Sequence, residues 1–148
     1  MDDWLEILAT PLPVDRAIAS VNHPQTGGIA VFLGVTRAED HPSSARATLR
    51  ALDYEAYDEL ALKQLGDLAG QVRQRWPILR LAILHRTGRV AIEEPSVVIA
   101  VSTPHRKEAF QACEWLIDTL KSEVAIWKKE VWSDGATTWV DPSPANDQ

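Results

Sequence analysis

The sequence predicts one α+β domain, and three observations lead to that class. Short runs rich in β-branched residues, such as 29–35 and 96–102, are typical of buried strands. Two longer segments, 58–75 and the one that follows Pro104, repeat their apolar residues at helical spacing. Strands and helices are interleaved, and the last strands follow one another through tight turns, which together favour an α+β domain.

The N-terminal part is predicted to form two strands and a short helix. Trp4–Leu8 alternates weakly, as a strand does, and Pro13 separates it from a helix over 14–21. Residues 29–35 follow as an apolar, β-branched run, which indicates a buried strand.

The middle of the chain is predicted to form a loop, a strand and a long helix. Residues 38–47 are polar, contain Pro42 and show no apolar period, which indicates a mobile loop. Residues 49–57 alternate as a strand. The helix over Asp58–Arg75 keeps a 3.6-residue apolar period and ends before Pro77.

The C-terminal half combines strands with one further helix. The predicted strands cover residues 79–85, 90–92, 96–102, 126–132 and 137–140. Thr103 and Pro104 signal a helix start, as N-cap and first helical residue. This helix is expected to end near Glu123. Cys113 lies on its apolar face, where we expect the thiol to be inert.

Composition places the chain among globular proteins of one domain. Its 148 residues are 45% hydrophobic and 24% charged, which is ordinary for a folded soluble chain. The longest wholly apolar runs, 29–33 and 97–101, are far shorter than the about 20 residues that a membrane-spanning helix needs. A net charge of -6 argues against a general nucleic-acid binder. We expect one domain over 1–148, with flexible ends at 1–10 and 142–148.

Cysteine and histidine usage adds expectations about compartment and metals. The chain opens on acidic residues where a signal peptide needs basic ones, and its single cysteine has no partner for an internal disulfide. Both observations predict a cytoplasmic protein. Four dispersed histidines and one cysteine lack the spacing of a metal site, so no metal is expected.

The sharpest chemical signal lies at the predicted start of the second long helix, where His105 and Arg106 follow Pro104. Free N–H groups and the positive end of the helix dipole favour an anion there. Arg106 adds a planar set of donors suited to phosphate. Basic residues at this helix end oppose the dipole, so anion binding explains them better than a purely solvated surface does.

A second signal is the pair Lys121 and Lys128, near the end of that helix and in the next strand. If the chain reverses between them, both ammonium groups can reach one pocket, where nearby cations tend to leave an amine able to act as a base or nucleophile. Spacing alone favours a plainer interpretation, in which Lys121 complements the helix dipole and Lys128 lies on a solvent-exposed strand face.

Two further basic residues are open to more than one interpretation. Arg37 follows the strand 29–35 and is either a surface charge or a second group that binds an anion. His85 ends another strand, where a histidine is more often packed or exposed than catalytic.

Six segments, in this order along the chain, resemble the family of large, catalytic subunits of molybdopterin synthase (the MoaE family). They are VFLGVTR (31–37), LDYEAY (52–57), HRTGRV (85–90), STPHR (102–106), AFQAC (109–113) and IWKKE (126–130). Each segment is weak alone, but the ordered set is specific and covers nearly the whole chain.

The resemblance implies an α/β hammerhead fold with an additional antiparallel β subdomain. It also implies a homodimer at the centre of a heterotetramer, with a small ubiquitin-like sulfur-carrier subunit (MoaD-like) that ends in a Gly-Gly thiocarboxylate. The implied substrate is cyclic pyranopterin monophosphate, which receives two sulfurs to become molybdopterin in molybdenum cofactor biosynthesis. No organic cofactor is implied.

The resemblance also implies roles for individual residues. The family's essential lysines fall on Lys121, as general acid/base with a transient covalent role left open, and on Lys128, which would hold the substrate or the carrier tail. The remaining pocket residues fall on Phe32, Arg37, His105, Arg106 and Glu130. Among them, His105 and Arg106 would bind phosphate, and Glu130 would orient Lys128.

The sequence departs from the family pattern in places, and other functions remain open. Residues 38–42 (AEDHP) replace an Asn-His-Asn type of loop and make the region acidic. Asp58, Leu60 and Ala125 stand where Pro, Met and Pro are frequent. One alternative is a non-catalytic scaffold that docks a ubiquitin-like tail, and another is a protein that binds a phosphate ligand without a protein partner.

Overall fold

The computed structural model describes residues 3–140, so the end predicted to be flexible at 142–148 lies outside the described residues. Residues 3–140 form three helices and nine strands. The helices are α1 (Val14–Ser20), α2 (Asp58–Arg75) and α3 (Arg106–Glu123). The strands are β1 (Trp4–Leu8), β2 (Gly28–Val35), β3 (Asp40–His41), β4 (Ser44–Ala56), β5 (Arg80–Arg86), β6 (Gly88–Ala91), β7 (Pro95–Thr103), β8 (Ile126–Trp132) and β9 (Thr137–Trp139). The predicted α+β class is confirmed.

The first sheet has the strand order β1-β5-β7-β2. Strand β1 lies parallel to β5, and the other neighbours are antiparallel. Helices α2 and α3 pack on one face, where Leu65, Leu116 and Ile99 are among the fully buried core residues. Helix α1 packs on the other face, where Ala17 meets a second cluster that includes Leu84. The N-terminal segment predicted to be flexible, residues 1–10, thus contains β1, which pairs along its whole length with β5.

The second sheet is antiparallel throughout and corresponds to the predicted β subdomain. Its long central strand β4 pairs with β8, β3 and β6, and β8 pairs with β9. A smaller core of Leu49, Leu52 and Trp132 packs within this sheet. The space between this sheet and the end of α3 holds the cavity described below.

The prediction that 29–35 is a buried strand is half wrong. Strand β2 is an edge strand, and Ile29, Val31, Leu33 and Val35 are 38–52% exposed. The alternate residues face α2 and α3, so the strand is covered on one side only. Helix α1 covers β5 and β7 on the opposite face and does not extend over β2, a fact that the β-branched composition of the strand cannot reveal.

Two other local predictions are corrected. Residues 38–47 are not one continuous loop, because 40–41 form β3 and 44–47 begin β4, with a turn at 42–43 between them. The Leu49 N–H donates to the Glu39 carbonyl at 2.8 Å. Helix α3 begins later than predicted, at Arg106, with His105 in the cap position. The Gly27 N–H donates to the Thr103 carbonyl at 3.0 Å, and this bond extends the sheet to the end of β7.

Candidate functional site

A cavity of about 510 Å³ lies between the last turn of α3 and the antiparallel sheet. Four of the residues predicted from the sequence line it, namely Arg37, Lys121, Lys128 and Glu130. They come from the end of β2, from α3 and from β8, so three separate segments build one site. The cavity therefore brings together four of the seven site residues that the resemblance implies.

The reversal between α3 and β8 brings the two lysines together. Val124 closes the helix by donating its N–H to the Leu120 carbonyl at 3.1 Å, and β8 begins two residues later. The Ala125 N–H donates to Oε1 of Gln64 on α2 at 2.7 Å, a bond that proline at this position could not make. The departure from the family pattern at Ala125 thus gives the reversal an additional anchor.

Alternation along β8 selects which lysine enters the cavity. Lys128 and Glu130 both line it, as side chains two residues apart on a strand should. Lys129 points away and lies over the Trp139 ring, 5.3 Å from its centroid. The prediction that the adjacent lysines face opposite sides is confirmed.

Glu130 has an unusual environment, because burial, followed by the charge and hydrogen bond of the Glu39 carboxyl, raises its pKa. Lys128 and His41 act in the opposite direction. Glu39 belongs to the acidic segment that departs from the family pattern, and its Oε2 lies 3.8 Å from Nη2 of Arg37. This segment therefore places a second carboxyl between two of the predicted site residues.

His85 and Tyr54 line the cavity as well, although the residue pattern gave neither a functional role. His85 is 4% exposed, and its ring meets that of Tyr54 edge to face with centroids 5.1 Å apart. The pKa of His85 is lowered to about 4, mainly by burial and further by the charges of Lys121 and Lys128. The hydrogen bond with the Arg86 carbonyl raises the pKa and only partly offsets these effects. Burial likewise raises the pKa of Tyr54.

The remaining predicted site residues lie elsewhere in the chain. His105 and Arg106 stand at the start of α3, whereas Lys121 lies in its last turn, roughly 22 Å away along the axis at about 1.5 Å per residue. Phe32 is partly buried against the main core and is not among the cavity-lining residues. Within one chain, the length of α3 therefore keeps His105 and Arg106 away from the lysines, and Phe32, on β2, does not line their cavity.

An exposed aromatic groove adjoins the cavity. Tyr57, Trp127 and Trp139 are 37–65% exposed, and the Tyr57 and Trp127 rings meet edge to face at 5.0 Å. Tyr54, Trp127 and Trp139 line both this groove and the cavity, so the two are continuous.

Residues 3–140 contain no group of three or more His, Cys, Asp or Glu side chains arranged to hold a metal ion. None of the helices in this range combines the length and apolar character needed to cross a bilayer. Cys113 is buried, which raises its pKa to about 11 and makes the reactive thiolate rare, as predicted.

Comparison with known proteins identifies a family and its relatives. The family described as "MoaE protein" matches residues 7–123. The molybdopterin synthase catalytic subunit of Halalkalibacterium halodurans is 42% identical over 134 residues, which is 90% of this chain and 83% of that protein.

Solved structures share the fold. The crystal structure of molybdopterin synthase from Staphylococcus aureus has a TM-score of 0.84 at 33% identity and covers 93% of this chain and 96% of that one. A complex of subunits 1 and 2 of the molybdopterin-converting factor from Helicobacter pylori, at 21% identity and a TM-score of 0.71, covers 93% and 90% and shows the fold alone. On the family match and the 42% identity, the chain belongs to the MoaE family.

Proposed function

We propose that the protein is the catalytic subunit of a molybdopterin synthase, which acts in molybdenum cofactor biosynthesis. It transfers sulfur from the C-terminal thiocarboxylate of a small ubiquitin-like carrier subunit to cyclic pyranopterin monophosphate. The observation that carries this proposal is that Lys121 and Lys128 line the same cavity. The similarity to proteins named molybdopterin synthase catalytic subunit supports it.

Charge supports the proposed substrates. A thiocarboxylate tail and a cyclic phosphate are both anions, and the cavity offers two lysines and Arg37. Fixed cationic groups in a partly enclosed site stabilise developing negative charge better than solvent does. A scaffold that only docks a tail needs the aromatic groove but has no use for two lysines in the cavity beside it.

The proposed chemistry assigns a role to each lysine. The thiocarboxylate sulfur attacks the pterin side chain and forms a C–S bond, and Lys121 gives a proton to the oxygen that departs. Water then cleaves the acyl C–S bond and leaves a carboxylate on the carrier, so a second loaded carrier is needed for the second sulfur. Lys128 holds the anionic tail or substrate, and Glu130 orients Lys128 from the same face of β8.

The carrier subunit is proposed to dock on the aromatic groove. Its tail must be extended to reach the cavity, and the groove of Tyr57, Trp127 and Trp139 runs into that cavity without a break. Exposed aromatic side chains of this kind are enriched where proteins meet partners. We place the assembled enzyme in the cytoplasm, in keeping with the unpaired, buried Cys113.

A homodimer would bring His105 and Arg106 to the cavity. The apolar, half-exposed side chains of β2 lie on an edge strand of 8 residues, which spans about 26 Å. Arg106 lies beside the start of this strand, because a Cβ on Gly28 would stand 2.8 Å from the Arg106 Cα, and Arg37 follows its end. Antiparallel pairing of β2 with a second copy would place His105 and Arg106 of each chain near Arg37 and the cavity of the other.

The proposal is tested by reconstitution. The purified protein is mixed with thiocarboxylated carrier and cyclic pyranopterin monophosphate, and molybdopterin is measured after oxidation to a fluorescent product. We expect product from the native chain, none from Lys121→Ala, and native activity from Lys63→Ala, whose side chain is 75% exposed on α2. Binding of the carrier without product would contradict the enzyme and favour a scaffold. Binding of the cyclic phosphate without any carrier requirement would favour a phosphate-binding protein.

A further inference from the structure

His85 occupies a rigid position at the wall of the cavity. It lies near the end of β5, an inner strand of the first sheet, where its backbone pairs with Ile7 of β1 on one side and Val97 of β7 on the other. Its side chain is 4% exposed but reaches the cavity that Lys121 and Lys128 also line. The Tyr54 ring of β4 covers one edge of the imidazole at 5.1 Å between centroids. The backbone of His85 is therefore fixed by two neighbouring strands, and its ring is packed against a third.

The hydrogen-bond partner of His85 determines its tautomer. Nδ1 lies 2.9 Å from the carbonyl oxygen of Arg86. A carbonyl oxygen accepts but never donates, so Nδ1 must carry the proton. In the neutral ring, Nε2 then carries a lone pair and is an acceptor.

The surroundings keep the ring neutral. Burial is the main cause that lowers its pKa, and the Lys121 and Lys128 charges act in the same direction, with Lys121 the stronger of the two. Neither neighbour adds negative charge: the Arg86 carbonyl is neutral, and the raised pKa of Tyr54 keeps its hydroxyl group protonated. A neutral acceptor beside two ammonium groups is favourable, whereas an imidazolium there would repel both.

We propose that His85 is a positioning residue, whose Nε2 accepts a hydrogen bond from the Lys121 ammonium and fixes the direction in which that group meets the substrate. This inference deepens the proposed function and rests on it for its catalytic meaning. A lysine side chain has four rotatable bonds, so a fixed acceptor beside its ammonium group selects one of many orientations. Supporting residues of this kind hold reacting groups to the narrow geometry that catalysis requires.

The test compares two substitutions with a packing control. His85→Leu removes the acceptor, His85→Gln keeps an acceptor oxygen without a titrating ring, and Ile99→Val loosens the same sheet without touching the cavity. We expect His85→Leu to lower kcat about tenfold or more, with the KM for carrier changed less than about twofold, because one hydrogen bond to a charged group is lost. His85→Gln should recover most of kcat, and Ile99→Val should lower the melting temperature alone.

Two measurements make the inference testable apart from sulfur transfer. Lys121 is acetylated with acetic anhydride, and peptide mass spectrometry compares its labelling with that of the exposed Lys63. The ratio of Lys121 to Lys63 labelling should change at least about threefold in His85→Leu and return towards the native value in His85→Gln. Long-range ¹H–¹⁵N spectra of the native protein should show Nδ1 protonated and Nε2 unprotonated for His85 between pH 6 and 8.

Each failure has a distinct meaning. An unchanged Lys121 ratio and unchanged kcat in a folded His85→Leu protein would overturn the positioning role. A proton on Nε2 in the native protein would overturn it even if His85→Leu failed to fold. Loss of the proposed sulfur transfer from the native chain, with the labelling and tautomer results as expected, would refute the proposed function and leave the His85–Lys121 contact standing.

Discussion

Gln64 and Ala125 are joined by a hydrogen bond of 2.7 Å, in which the Ala125 N–H donates to the Gln64 side-chain oxygen. Gln64 lies on α2, and Ala125 lies in the short reversal that separates Lys121 on α3 from Lys128 on β8. A residue far from the cavity in sequence thus sets the spacing of the two lysines inside it.

Gln64→Leu should impair the site more than it impairs folding. The substitution leaves the partly buried Ala125 N–H without its partner, at a cost of about 1 kcal/mol in the free energy of unfolding. We expect a larger loss in sulfur transfer, about tenfold in kcat, because small displacements of reacting groups are costly. Urea unfolding and product formation check the two effects. Gln71→Leu on the exposed face of α2 is the control, and an equal loss of activity in both variants would contradict the prediction.

Glu39→Gln should stabilise the protein at neutral pH. Glu39 raises the pKa of Glu130, so the folded state favours protonated Glu130. The stability that this protonation contributes is present below the pKa of Glu130 in the unfolded chain, and it is lost as the pH rises through the pKa of Glu130 in the folded protein. Removing the Glu39 charge relieves the repulsion at pH 7 by about 0.5 kcal/mol, since both groups are partly exposed. The gain should vanish near pH 4. Urea unfolding at both pH values measures it, and Glu114→Gln, exposed on α3, should show no such difference.

The same substitution should also tighten binding of the phosphate substrate. Glu39 lies 3.8 Å from Arg37 and competes with an anion for that guanidinium. We expect the KM for cyclic pyranopterin monophosphate to fall about twofold to fivefold in Glu39→Gln, while the KM for carrier changes little. A KM that rises instead would show that the Glu39 carboxyl contacts the substrate rather than opposing it.

His85 should make the protein sensitive to mild acid. Its pKa of about 4 in the folded state lies below the 6.5 of an unperturbed histidine, so the unfolded chain binds a proton first as pH falls. The resulting stability is complete above pH 6.5 and declines towards pH 4, by an amount on the order of 3 kcal/mol. The free energy of unfolding of the native protein, measured by urea between pH 7 and 4, should therefore fall more steeply than that of His85→Gln. A His105→Gln protein, altered at an exposed histidine, should follow the native curve.

The sequence indicated the lysine pair more readily than the rest of the site. A helix that ends near Glu123 and a strand that starts at Ile126 leave only a short reversal, which allows Lys121 and Lys128 to reach one pocket, although their spacing alone favoured separate, plainer roles. Helical periodicity likewise located α2 and α3 well. These features depend on neighbours in sequence, which a single chain displays directly.

The features that could not be predicted depend on distant partners. The exposed face of β2 follows from where α1 packs, and the pairing of residues 40–41 follows from the path of β4. His85 lies in the cavity because Tyr54 and Lys121 are brought to it from other elements. The predicted length of α3 already placed Arg106 far from Lys121 in one chain. That Arg106 could instead serve the cavity of a second copy follows only from the exposed β2 edge, which the structure shows.

Mixed dimers should reveal whether Arg106 acts across the β2 edge. Lys121→Ala and Arg106→Ala proteins, each inactive alone, are mixed, exchanged and assayed for molybdopterin. If Arg106 serves the cavity of the other copy, a dimer of one Lys121→Ala and one Arg106→Ala chain contains one site with both defects and one intact site. Random exchange makes half of the dimers mixed, so the activity should return to about a quarter of the native value.

The matched control mixes Lys121→Ala with Lys128→Ala. Both lysines line one cavity of the same chain, so every site in such a mixed dimer keeps a defect and no activity should return. Leu33→Glu places a charge on the exposed face of β2, and it should prevent dimer formation in sedimentation experiments and abolish the recovery. If Lys121→Ala and Arg106→Ala show no recovery although the mixed dimer forms, Arg106 does not complete the partner's site, and the antiparallel pairing of β2 loses its functional support.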